Sequence, residues 1–357
     1  MEFYEPRSQN VQLNGVTPID PDAQSTNGPS VDRYGFVGQH KQASEANNDV
    51  AADVYRHREL KWVEMLQNWD KWMAKKFPKV KERCRKGIPS SVRGHAWQNL
   101  SGSMELKNQN NGVFETLVER ESPDWEKIIE KDLSRTFPFH ELFSEKNGPG
   151  QRDLFNILKA YAIYDPETGY CQAMAPVVAV LLMHMTAEEA FWCFVMICDR
   201  YIPGYYSPKL EAVQMDGALF GGLLDKYVPH VAKHMKTHHI DPLMYMTEWF
   251  MCLLARNLPF ATVLRVWDMF FCEGMKVLFR TTLAIMKLAL TPKDLPRCQG
   301  LFETNERLRR LPMTLMQEDS LVPVSLSLKL SIKDLRREHE HQFSKRPKGK
   351  SEAGELR

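Results

Sequence analysis

The sequence lacks a cysteine framework, a membrane-length apolar run, a phosphate-binding loop and any clear strand signal. Its seven cysteines are odd in number and none forms a Cys-x-x-Cys pair, so a disulfide scaffold is excluded. Cys193, Cys198, Cys252 and Cys272 sit inside apolar stretches, where a reduced thiol packs as a small hydrophobe. A reducing, cytoplasmic compartment is the expectation. The longest apolar run, Ala173 to Met183, ends at His184, well short of the roughly 20 residues that span a bilayer. The first ten residues, MEFYEPRSQN, have neither the basic nor the apolar region of a signal peptide. Together these point to a soluble chain that meets membranes only from outside. No G-x-x-x-x-G-K-[ST] stretch occurs, so the chain is not expected to hold its own nucleotide. The net charge is only +2, which gives no global field for a nucleic acid.

What is present is apolar mass and helical patterning. The 357 residues are 43% hydrophobic, with eight tryptophans and 18 phenylalanines, enough for one large core with tails or for two ordinary domains. Apolar residues recur at three- and four-residue spacings, and no alternating runs are joined by Asn-Gly or Asp-Gly turns. The fold class is therefore all-α. No fixed repeat is found.

Along the chain, residues 1–52 are rich in Asn, Gln, Ser, Asp and Pro and read as a disordered arm. The island VDRYGFVG (31–38) is the exception, since Tyr34, Phe36 and Val37 can dock on the main body. Residues 53–85 form a helical lead-in that carries a basic stretch from Lys75 to Lys86. Its plain reading is a solvated helix face; its functional reading is attraction to acidic lipid or an acidic partner. Beyond Gly87 most segments have readable starts: Ser122-Pro123-Asp124 offers an N-cap, and Thr186 to Glu189 is a capping-box pattern. A C-terminal helical extension over 291–334 and a charged, partly disordered tail over 335–357 complete the organisation.

Several constellations could carry chemistry. His230, His234 and His238 stand at i, i+4, i+8 on a segment that reads as exposed, but no H-E-x-x-H accompanies them, so no metal is expected. Cys171 lies at a helix start, where a thiol's pKa can fall; an ordinary packed cysteine is the alternative to a hydrolase centred on it. Arg93 and Trp97 are four apart on one helical face, which suits a guanidinium stacked or paired beneath the indole. In Ile129-x-x-Asp132-x-x-Arg135, helical spacing lets Ile129 face the core while Asp132 orients Arg135; a surface salt bridge is the blander reading. In Tyr164-Asp-Pro-Glu-Thr-Gly-Tyr-Cys-Gln172, proline and glycine set a turn that presents Tyr170 and Gln172 at a helix start. The Gln172 amide can accept from an attacking water and donate to a phosphate oxygen.

The last three segments, in that order and at those separations, resemble the fingerprint motifs of the TBC domain, a family of activators of Rab GTPases. The likeness runs from about Lys86 to Leu290, the 86–290 domain, and includes Arg265-Val-Trp-Asp268. Asp32-Arg-Tyr-Gly-Phe36, Trp69-Asp-Lys-Trp72, Tyr201 to Tyr206, Tyr245 to Phe250 and Arg265 to Gly274 resemble the carabin-like subfamily. The resemblance implies that Arg135 is an arginine finger and Gln172 a glutamine finger, both offered in trans to a GTP-bound Rab in vesicle traffic. Asp132 then positions the arginine, and Gly169 and Tyr170 form the turn that aims the glutamine. Arg93, Trp97, Arg265, Trp267 and Asp268 hold the scaffold or the GTPase contact surface. Ala173 stands where the family usually has glycine. The chain would be an activator rather than an enzyme with its own substrate, and it needs no cofactor, because GTP and magnesium belong to the GTPase. Peripheral association with an endosomal or plasma membrane would come through the Rab. The family also implies an alternative, a scaffold that grips a Rab without accelerating it.

Overall fold

The computed structural model describes residues 31–38 and 52–345, and these contain helices and turns but no β-strand, only two isolated bridges. The lead-in folds as α1 (Ala52–Gln67) and α2 (Trp69–Lys86). Trp62 and Met65 of α1 and Trp72, Val80 and Cys84 of α2 are buried, whereas Leu60 and Val63, which the apolar spacing of the lead-in also marks, are exposed because α1 turns its Trp62 face to the body. α2 kinks at Lys76, two residues before Pro78, since proline lacks the N–H and crowds the preceding turn.

The basic stretch of α2 divides in two. Lys81 and Arg85 converge on Glu273, at 3.1 and 2.6 Å, where Lys276 and Arg280 also approach. Burial alone would raise this carboxyl, but Arg85 and its cationic neighbours hold it at about 2. Part of the basic run thus anchors the lead-in to the body, while Lys75 and Lys79 remain exposed.

The body continues with α3 (Ser90–Ser101), α4 (Ser103–Gln109), α5 (Val113–Glu119), α6 (Pro123–Leu133) and α7 (Pro149–Tyr164). α8 (Met174–Leu182) is buried along its whole length, so its apolar run is a core helix packed on α7 and on α9 (Ala187–Met196). Each of Val177, Val178, Val180 and Leu181 removes a side chain from water, a gain of about 1.5–3 kcal/mol apiece. At the start of α9 the Thr186 N–H donates to Glu189 at 3.0 Å, one arm of the expected capping box.

The second half comprises α10 (Glu211–Tyr227), α11 (Pro229–Thr237), α12 (Leu243–Met251), α13 (Phe260–Glu273) and α14 (Lys276–Ala289), followed by α15 (Leu301–Arg309), α16 (Glu318–Ser327) and α17 (Ile332–Ser344). α13 is the hub, contacting α2, α3, α14 and α16. The extension therefore packs on the body through α16. α17 lies on α10, where Tyr227 donates to Asp334 at 3.0 Å, and it runs through the 334/335 boundary. The rest of the arm and the end of the tail lie outside the described residues, but the 31–38 island docks, with Phe36 buried.

Candidate functional site

α6 begins at Pro123, with Ser122 as its cap residue. The Ser122 hydroxyl does not cap, however; its N–H donates to Glu126 at 3.0 Å instead. Ile129 faces the core, and one turn later Asp132 is also buried. The helix stops at Leu133, so Arg135 stands on the turn beyond it rather than on the helical stripe that spacing suggested. Two features end the helix. The Thr136 hydroxyl donates to the Asp132 carbonyl at 2.7 Å, and Phe137 adopts a left-handed φ of 46° just before Pro138, which disfavours helix at the preceding residue. The Arg135 side chain is 55% exposed and donates to Asp132 Oδ1.

The glutamine turn is built from the end of α7. Tyr164 closes that helix, Gly169 N–H donates to the Asp165 carbonyl at 2.8 Å, and Gly169 has a φ of 63°. A Cβ at 169 would lie 2.4 Å from the Trp125 ring on α6. Glycine therefore permits both the turn and its close seat on α6. From there the Tyr170 hydroxyl donates to Asp132 Oδ2 at 2.5 Å. Burial, then the bond to Asp132, pushes the Tyr170 phenol far above its ordinary range, so it stays a donor. One buried carboxylate thus holds Arg135 on one oxygen and the glutamine turn on the other. Gln172 sits two residues before α8 and is exposed; its carbonyl accepts from Ala175 N–H at 3.3 Å, and its side-chain amide has no hydrogen-bond partner among the described residues.

Arg135 and Gln172 share a groove of about 360 Å³ with Asp132. Phe137, Phe139, Pro176, Arg256 and Phe260 also line it, as does Phe36 of the island. Sequence reasoning assigned none of these six a site role. The aromatic triplet Phe137-Pro138-Phe139 directly after Arg135 was the available signal.

The scaffold residues meet at Asp268, which is fully buried. Its carboxylate accepts from Arg93 Nε at 3.2 Å, Trp97 Nε1 at 2.9 Å and Ile88 N–H at 2.7 Å. Of the two expected arrangements, stacked or paired, the guanidinium is paired: it and the indole share the Asp268 carboxylate as acceptor. Burial raises the Asp268 carboxyl, and Arg93 chiefly opposes that rise. Trp267 donates to the Leu253 carbonyl at 2.9 Å. Arg265 donates to the Arg85 carbonyl at 2.6 Å, tying α13 to the end of α2.

Other candidates separate from this groove. His234 is buried rather than exposed and pairs with Thr304 Oγ1 at 2.8 Å, while His230 meets the Leu290 carbonyl at 3.2 Å. Spacing had marked a helix face, but α15 covers the middle histidine. No cluster of three metal-ligating side chains occurs among the described residues. Burial raises the Cys171 thiol, opposite to the fall that a helix start can produce, so an activated nucleophile is not supported there. No helix among the described residues is long and apolar enough to cross a membrane.

The family model for the Rab-GTPase-TBC domain matches residues 90–291. TBC1 domain family member 10B of Mus musculus is 54% identical over 316 residues, covering 88% of this chain and 40% of that protein. The chain thus spans about two-fifths of that relative's length. Carabin of Mus musculus is 47% identical, with 87% and 71% covered, respectively. TBC1 domain family member whacked of Drosophila melanogaster is 42% identical, with 90% and 89% covered. Among solved structures, the Chlamydomonas flagellar RabGAP TBC domain aligns with a TM-score of 0.65 at 28% identity, over 83% of this chain and 99% of that one. The Ypt/Rab-GAP domain of Gyp1p, 18% identical with a TM-score of 0.61 over 82% and 99%, shares the fold.

Proposed function

The chain belongs to the Rab-GTPase-TBC domain family, and from that premise we propose that it accelerates GTP hydrolysis by a small GTPase of the Rab type, lending Arg135 and Gln172 in trans. The observation that carries this reading is Asp132, a buried carboxylate that fixes the arginine loop and the glutamine turn at once.

Hydrolysis of GTP requires an in-line water and stabilisation of charge on the β- and γ-phosphoryl oxygens. A guanidinium suits the second need, because it is always charged and offers a planar fork of donors. Asp132 fixes one edge of that fork and leaves the exposed remainder for phosphate. The Gln172 amide has no internal partner to surrender, so orienting a water costs it no existing bond. Two prepositioned groups on one groove lower the ordering cost of the encounter. The nucleotide and its magnesium belong to the GTP-bound partner, and this chain contributes side chains only. Residence on an endosomal or plasma membrane follows from the Rab in this reading.

An arginine finger is worth roughly 10³–10⁵ in rate, or about 4–7 kcal/mol of barrier at 1.36 kcal/mol per tenfold. Lysine would keep the charge but lose the fork, so Arg135→Lys should be nearly as damaging as Arg135→Ala. Gln172→Ala should slow turnover while leaving Rab binding within a few-fold. A panel of GTP-loaded Rabs, assayed for both binding and GTP loss, tests the proposal. Acceleration of at least one Rab, lost with Arg135→Lys, is expected. Binding without acceleration would replace the activator by a scaffold.

A further inference from the structure

The island at 31–38 makes its contacts on the loop that carries Arg135. Asp32 organises it internally: its carboxylate accepts from Tyr34 N–H at 2.8 Å and Phe36 N–H at 2.9 Å. The turn so formed joins the arginine loop by two backbone hydrogen bonds and one to a side chain. Val37 N–H donates to the Phe139 carbonyl at 2.9 Å, Glu141 N–H donates to the Gly35 carbonyl at 2.7 Å, and the Tyr34 carbonyl lies 2.8 Å from His140 Nε2. Leu142 N–H donates to His140 Nδ1 at 3.1 Å. The ring is therefore the neutral tautomer with its proton on Nε2, given to Tyr34. Gly35 has a φ of 91°, and a Cβ there would lie 2.5 Å from that same nitrogen.

Phe36 then enters beneath the loop. Its ring packs edge-on against Phe260 at 5.2 Å, His140 at 5.1 Å and Phe137 at 6.2 Å. Phe137, two residues after Arg135, is held in the left-handed region. A bulky residue there persists only where surroundings over-determine it. Phe36 and Phe260 are those surroundings, one from the island and one from α13.

We propose that residues 31–38 are a strap in cis that positions the arginine loop, with Phe36 as its positioning residue and Gly35 as the turn residue whose missing side chain lets the strap seat on His140. The strap acts on Arg135 through Phe137 and His140. This rests on the finger reading of Arg135.

The test uses the full chain and a Rab it accelerates, with single-turnover GTP hydrolysis followed over a range of activator concentration. Phe36→Ala should lower the saturating rate about tenfold to a hundredfold, the scale of an ångström-sized misplacement, and leave the half-saturating concentration within about threefold. Phe36→Tyr should restore most of the rate, and Gly35→Ala should reproduce the loss. Hydrogen exchange without any GTPase gives the second readout. Amides from Phe137 to Phe143 should exchange faster in Phe36→Ala, while those of α8 and α13 stay protected, which separates a loosened strap from an unfolded body. Unchanged rate and exchange in Phe36→Ala, with Arg135→Ala inactive, would overturn the strap and leave the finger standing. A change in half-saturation alone would make Phe36 a docking contact and also overturn it. Full activity in Arg135→Ala would instead remove the finger reading itself.

Discussion

At the scale of single residues, the account turns on Asp132. Its two oxygens divide between Arg135 and Tyr170, so each partner can be removed separately. Tyr170→Phe deletes one bond to a buried charge, typically 1.5–3 kcal/mol; if that loss falls on the geometry of the glutamine turn, single-turnover hydrolysis slows by roughly 10–100-fold. Rab affinity should change little, and a wild-type rate would detach the phenol from the mechanism. The local pairing of Asp132 with Arg135 was readable from a three-residue spacing. Its bond to Tyr170 was not, because it joins residues 38 apart through a turn whose seat on Trp125 has no mark in either segment. Spacing also placed Arg135 on the helix, since periodicity cannot see that Thr136 and Phe137 end it first.

At the scale of elements, glycine and buried charge fix how helices meet. Gly169 carries the glutamine turn onto α6, and Gly169→Ala must place a methyl into the Trp125 ring while adopting a φ that costs an L-residue about 1–2 kcal/mol. The turn should retreat, lowering the hydrolysis rate more than thermal stability; equal loss of both would argue for a purely structural turn. Asp268 joins α13 to α3 and to the link between α2 and α3 at Ile88. Asp268→Ala leaves the Arg93 guanidinium buried without its charge partner, which typically costs about 3–5 kcal/mol, and a urea midpoint within error of wild type would contradict that role. Helix existence was legible throughout, because burial imposes the 3.6-residue pattern and proline and glycine punctuate it. What joins helix to helix was less so: the basic run reads as solvent-facing until Glu273, nearly 190 positions away, supplies its anchor. The row of histidines misled for the same reason, since only tertiary packing brings Thr304 to His234.

At the scale of the whole molecule, an all-α body buries its titratable groups between helices, and its stability should follow pH accordingly. His184 packs edge-on against Trp97 at 5.0 Å, and burial, with Arg93 and His140 nearby, lowers its pKa to about 3 from 6.5. Because the folded form resists the proton that the unfolded chain accepts, this contribution is complete above about pH 6.5 and is lost as pH falls toward 3. Glu273, lowered from 4.5 to about 2, adds stability that is complete above pH 4.5 and is lost below it. The urea midpoint should therefore hold between about pH 7 and 8, begin to fall below about 6.5, and fall more steeply under 4.5; a flat profile between pH 7 and 4 would contradict this arrangement. The same rigid body presents Arg135 and Gln172 on one groove, which is the basis for reading the chain as a donor of catalytic groups to a partner. That claim is tested most directly by single-turnover GTP hydrolysis on a Rab at saturating activator, comparing wild type with Arg135→Ala. The account predicts a loss of roughly a thousandfold or more with binding retained, and a variant within a fewfold of the wild-type rate would contradict it.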